Sequence, residues 1–192
     1  SKASRGPGYL LALDHGGNPA AGTDEYAYAV LPNANAEAMP ALAADFAKDF
    51  TFVRNGANAH ALSSHSNGLH QFAFFAPSSI KAGDITATAS APSQLMLRET
   101  ADAYILSAGN PAPDDKNVTS LTFTLSKRLP AGTYAYRTGG IYPLDGETVT
   151  VADEGKGSRI TVELPDFRDE EKYNYQTELY NAVPVVITIP KK

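Results

Sequence analysis

The sequence predicts an all-β protein, an antiparallel β-sandwich with one short helix. Three observations lead there. Apolar and polar residues alternate with period two through much of the chain from Phe52 to Ile189. Gly, Pro, Asn and Asp recur between the alternating runs and cut them into about a dozen short strands. A single stretch, Pro40–Lys48, changes to helical spacing, with Leu42, Ala43, Phe46 and Ala47 on one side.

Taken in order, Ser1 to Gly8 is a polar lead-in, and Tyr9–Leu13 is a short apolar strand. Asp14 to Asp24 is rich in turn residues. Glu25–Leu31 then carries Tyr26, Tyr28 and Val30 on one side and Ala27, Ala29 and Leu31 on the other. A run apolar on both faces suits a strand covered from both sides. Pro32 and Asn33 end it, and Asn33 to Met39 reads as a polar, alanine-rich connector. Pro40 suits the first helical position, where its missing N–H costs nothing.

Beyond Thr51 the strands are Phe52–Asn55, Ala59–Ser63, His70–Ala76 and Asp84–Ala89. His70, Phe72 and Phe74 share one face of the third, with Gln71, Ala73 and Phe75 on the other. Gln94–Glu99 and Tyr104–Ala108 read as a hairpin around Thr100–Asp102. Asn110 to Asn117 is the strongest internal loop. Ser120–Leu125, Gly132–Arg137, Glu147–Ala152, Ser158–Leu164 and Val185–Ile189 follow. Asp166 to Glu178, charged and tyrosine-rich, reads as a surface loop.

The first third also carries a spaced pattern, His15, Gly16, Pro19, Tyr26, Tyr28 and Pro32. It resembles the late β-region of polysaccharide lyase family 8, the hyaluronate, chondroitin and xanthan lyases. Ala34 to Phe46 resembles the short helical stretch after that strand, and Phe52 to Leu62 a strand pair that follows it. The resemblance implies that residues 1–33 are the last strands of a central super-sandwich and 34–192 a C-terminal β-sandwich domain. It further implies a bacterial, secreted or periplasmic parent enzyme.

Composition narrows the function. A chain of 192 residues with 43% apolar content can bury a core. No apolar run approaches the ~20 residues of a membrane helix, and Ser1 to Gly8 lacks the apolar centre of a signal peptide. With no cysteine, disulfides, zinc–thiolate sites and cysteine nucleophiles are excluded. A formal charge of −5 without a basic patch argues against nucleic acid. The same charge argues against a catalytic groove for polyanions, which needs cations facing the substrate.

Four groups of residues invite a chemical reading. His60, His65 and His70 are spaced by five, which fits neither a helical nor a same-face strand pair of metal ligands, so they read as structural. Asp14 and His15 are neighbours whose side chains diverge on an extended chain, and His15 reads as part of a turn. Asp114–Asp115, Asp153–Glu154 and Asp166 to Glu171 lack a calcium-loop pattern and read as solvated. Asn117-Val118-Thr119 is formally a glycosylation sequon. The family's lyases use Asn, His, Tyr and Arg of a helical toroid and a Glu early in the β-domain. None of those motifs occurs in this chain.

The expectation is therefore a non-catalytic C-terminal part of a lyase that cleaves uronate-containing polysaccharide by β-elimination, inactive alone and without cofactor or metal. Expected partners are the rest of the parent lyase and an acidic polysaccharide, with self-association through the open first strands, and neither nucleic acid nor membrane. The alternative is a stand-alone carbohydrate-binding sandwich, in which Tyr173, Tyr175 and Tyr180 would stack on sugar rings.

Overall fold

A strand with an apolar side chain at every second position gains by laying that row against another such row. Strands of this kind make up most of the residues that the computed structural model describes, 35–111, 118–138, 148–164 and 184–191. In order they are β1 (Phe50–Asn55), β2 (Ala59–Ser64), β3 (Leu69–Phe74), β4 (Ser78–Ala82), β5 (Ile85–Ala89), β6 (Ser93–Glu99) and β7 (Ala103–Gly109). Then come β8 (Ser120–Leu125), β9 (Gly132–Ala135), β10 (Arg137–Thr138), β11 (Thr148–Asp153), β12 (Ser158–Glu163) and β13 (Val185–Pro190). One sheet has seven strands in the order β1-β2-β3-β6-β7-β13-β10, the other six in the order β4-β5-β8-β12-β11-β9. Every pairing is antiparallel. The expected all-β sandwich with one short helix is what the structure shows.

The inner faces interlock. Phe72, Phe74, Leu95, Leu97, Leu106, Ile187 and Ile189 come from the larger sheet, and Ile85, Leu121, Phe123, Leu125, Val149, Val151, Ile160 and Val162 from the smaller. Phe74 and Phe123 meet across the layers with ring centroids 6.4 Å apart. Each such side chain contributes about 1.5–3 kcal/mol by leaving water. The outward positions between them are mostly polar on the smaller sheet, which produces the alternation read from the sequence.

The chain divides into two units, Ser1–Met39 and Pro40–Lys192, and the thirteen strands found among the described residues belong to the second. The helix α1 runs Met39–Asp49, after a 3-10 turn at Ala36–Ala38 whose Glu37 amide donates to the Asn35 side chain. The stretch read as a connector up to Met39 is thus partly helical, because Asn35 starts the turn. Leu42, Phe46 and Asp49 recur on one half-buried side, and the Phe46 ring stacks on Phe50 at 4.3 Å.

Two differences from the sequence reading have local causes. β4 is absent from that reading, since Ser78–Ala82 offers only Ile80 and Ala82 as inward residues. It exists because Gly83, at φ 61°, turns the chain so that β4 pairs with β5. The stretch Gly132–Arg137, read as one strand, is split between sheets. β9 pairs with β11, and β10 pairs with β13. Between them Tyr136 is buried, and its hydroxyl donates to the Glu163 carbonyl at 2.6 Å. Tyr9–Leu13, Glu25–Leu31, most of the Asn110–Asn117 loop and the Asp166–Glu178 stretch lie outside the described residues.

Candidate functional site

Asp14, His15, Tyr26, Tyr28, Asp114, Asp115, Asn117, Asp166 to Glu171 and the tyrosines Tyr173, Tyr175 and Tyr180 also lie outside the described residues. The three remaining histidines do not converge. In the β2–β3 pairing, His60 stands opposite Ala73 and His70 opposite Ser63, three positions further along β2, so the two rings face opposite sides of the sheet. His70 points inward, with Nδ1 3.0 Å from the Ala82 carbonyl and Nε2 3.6 Å from Asp84. His65 is exposed in the turn between. Among the described residues no three His, Asp or Glu side chains gather as metal ligands.

The acidic pair Asp153–Glu154 closes the β11–β12 hairpin. Asp153 accepts from the Gly155 amide and pairs with Arg128, while Glu154 pairs with Arg159 at 2.5 Å. These carboxylates are engaged by cations and a turn amide.

A tighter charge cluster lies at the end of β6. Glu99 accepts from Lys127 at 2.5 Å and from Lys191 at 2.8 Å, and Lys191 also donates to the Thr100 carbonyl. Both ammonium groups lie near the Tyr104 ring, at 5.7 and 4.9 Å from its centroid. The hydrogen bonds from Lys127 and then Lys191 hold the Glu99 carboxyl below its usual range, against the opposing effect of burial. Burial pulls the Lys127 ammonium down, but Glu99 outweighs it and the net shift is upward. Lys127 follows β8 and Glu99 ends β6, so the cluster ties one sheet to the other.

The feature that stands apart is the outside of the seven-stranded sheet. Register places Phe52, Leu62, Gln71, Met96 and Ser107 in one line across five strands. Beside it runs a second line, Arg54, His60, Ala73, Gln94 and Gly109. Ala73 and Gly109 leave the floor low, and a groove of about 420 Å³ follows the two lines. At its entrance His60 packs edge-on against Phe75 and Phe52, with centroids 5.2 and 6.5 Å apart. Phe52 is 60% and Phe75 55% exposed, the two most exposed large apolar side chains among the described residues. The signal for this face is present in the sequence as the polar-side parity of each strand, which already separates Gln71, Ala73 and Phe75 from His70, Phe72 and Phe74.

Comparison with known proteins gives the context. A chondroitin sulfate ABC exolyase of Bacteroides thetaiotaomicron is 31% identical over 112 residues, 57% of this chain and 11% of that enzyme. The chain is similar to polysaccharide lyases of family 8. A Paenibacillus xanthan lyase superposes with TM-score 0.54 at 17% identity, over 84% of this chain and 13% of its own. A Streptomyces coelicolor A3 chondroitin AC lyase, solved with chondroitin sulphate, does so with TM-score 0.54 at 18% identity, over 84% of this chain and 18% of its own. At those identities the superpositions establish the shared sandwich. No family model matches the chain. The chain spans between about a tenth and a fifth of the length of these relatives. Among the described residues, no helix is long and apolar enough to cross a membrane.

Proposed function

We propose that this chain is the non-catalytic C-terminal β-sandwich part of a polysaccharide lyase that cleaves a uronate-containing polymer of the chondroitin or hyaluronan type by β-elimination. Residues 1–33 would close a central β-domain and residues 34–192 form the terminal sandwich. The parent would be secreted or periplasmic, where its substrate is found. The observation that carries this reading is the match of 57% of the chain, at 31% identity, to a small part of a chondroitin sulfate ABC exolyase. β-Elimination needs a base, an acid for the leaving oxygen and a neutraliser for the uronate carboxylate. Among the described residues no three His, Asp or Glu side chains gather in one place.

The test compares the chain with the complete product of its gene. Incubation with chondroitin sulfate, hyaluronan and xanthan is followed by the ultraviolet absorbance of unsaturated uronate. The complete product should produce that absorbance with at least one polymer, and the chain alone with none. Activity of the chain alone, or an inactive complete product, overturns the proposal.

A further inference from the structure

We infer that the groove across the outside of the seven-stranded sheet is a binding site for an acidic polysaccharide chain, separate from any catalytic centre. The inference rests on the lyase reading for the class of polymer, and on this face for the site. Its first support is charge. The chain carries a net −5, yet the outward positions of β1, β2, β3, β6, β7 and β13 include the exposed Arg98 and no Asp or Glu. Glu99 ends β6 on the inward side, opposite Tyr104. Asp49, at the corner just before β1, is occupied. It accepts from Ser64 Oγ at 2.6 Å, from the Ser66 amide at 2.6 Å and from Ser66 Oγ at 2.9 Å. Among the described strands, a polyanion laid along this face would meet the exposed Arg98 and no outward carboxylate.

The second support is the chemistry of the lining. A sugar ring offers C–H groups on its faces and hydroxyls at its edge, so its site needs apolar surface with a few amides between. Here Phe52, Leu62 and Met96 give the apolar surface, with Phe75 at the entrance, and Gln71, Gln94 and Ser107 the hydrogen-bonding groups. Each glutamine amide can donate and accept, which suits hydroxyls of either role and carboxylate edges. The third support is length. From Phe52 to Ser107 the line crosses four inter-strand gaps, roughly 19 Å at the usual strand spacing. That is a track for several linked rings rather than a pocket for one small molecule.

The chain is run by affinity electrophoresis through gels containing chondroitin sulfate, hyaluronan or neutral dextran. Retardation is expected in the acidic gels, absent in dextran, and weakened by added salt. The double variant Phe52→Ala, Arg98→Glu should weaken apparent affinity roughly tenfold or more, whereas Lys81→Glu, on the other sheet's outer face, should leave it unchanged. Both altered positions are exposed, and a thermal melt confirms the fold. The inference fails if the acidic gels do not retard the chain, if dextran retards it equally, or if Lys81→Glu has the larger effect. It also fails if the complete gene product loses groove-dependent retardation, because the parent's own domains then cover the face. Uronate absorbance is a separate readout. An active lyase with no groove effect sinks only this inference, and an inactive complete product with a retarded chain sinks only the lyase reading.

Discussion

On the outside of the six-stranded sheet, Thr122, Thr161, Thr150 and Thr133 stand side by side across four strands. Thr88 and Thr124 face each other one row along, Arg159 stands beside Thr124, and Lys81 and Glu163 lie on the same face. On the outside of the seven-stranded sheet the equivalent line is Phe52, Leu62, Gln71, Met96 and Ser107. Both faces ride on the same core, so burial does not explain the difference. Threonine keeps strand propensity while presenting a hydroxyl to water, and mixed charges keep the surface from sticking. Nothing in that face asks for a ligand. The other face gives up solubility by exposing two phenylalanines, and a chain gains from that only where something lies against it.

The comparison assumes that the inside is common property, and the largest expected effect checks this. Phe123 is fully buried in the small sheet and meets Phe74 of the large one. Phe123→Ala should cost about 3–5 kcal/mol. Urea unfolding followed by tyrosine fluorescence and by circular dichroism should move together. Separate transitions would mean two sheets with independent stability, and the comparison of their faces would lose its common base. Gly157→Ala should come next, at about 1–3 kcal/mol. A Cβ there would collide with the Leu125 carbonyl, a backbone atom that cannot step aside. Gly56→Ala lacks any such neighbour, and carries only the cost of φ 53°.

Much of this was legible in the sequence, and what was not has physical causes. Ser120–Leu125 was readable to the residue, because Leu121, Phe123 and Leu125 alternate with threonines. β4 was not, since two inward residues, Ile80 and Ala82, give too short a pattern and the strand depends on its partner. The switch at Tyr136 was invisible because periodicity reports which residues point inward, not which sheet they join. The groove is a case between. Parity along each strand put Gln71 with Ala73, but only register across strands sets Gln71 beside Leu62 and Met96. Net charge misled in the same way. The value −5 is an average, and Arg98 lies on a face whose described strands carry no acid at their outward positions.

The Glu99 cluster sharpens the comparison at the edge where the two sheets are tied. Glu99 titrates below its ordinary value of 4.5 in the folded chain. A depressed folded value means stability that is present above the unfolded value and lost as pH falls through the folded one. The urea midpoint should therefore drop as pH falls below about 4.5, and Glu99→Gln should flatten that drop. At neutral pH the same variant should cost about 1–2 kcal/mol, kept small by solvent access to the pair. Lys127 works from the alkaline side. Its raised value gives stability present below the unfolded value and lost as pH rises through the folded one. A midpoint independent of pH in the acid range, in both wild type and variant, would remove the cluster from the account.

The smallest expected effect on stability discriminates best between the two faces. Phe52→Ala and Thr161→Ala each change one outward residue, one on either sheet. Phe52 is 60% exposed and lies on the edge strand β1, so removing its ring deletes little buried contact. Both variants should stay within about 0.5 kcal/mol of wild type in urea unfolding. Retardation in chondroitin sulfate gels should nonetheless fall for Phe52→Ala and stay at the wild-type value for Thr161→Ala. An aromatic ring that contributes to binding but not to folding is a ring placed for a ligand. Should Phe52→Ala instead destabilise the chain by several kcal/mol, the ring would be part of the fold, and the exposed phenylalanines would no longer distinguish one face from the other.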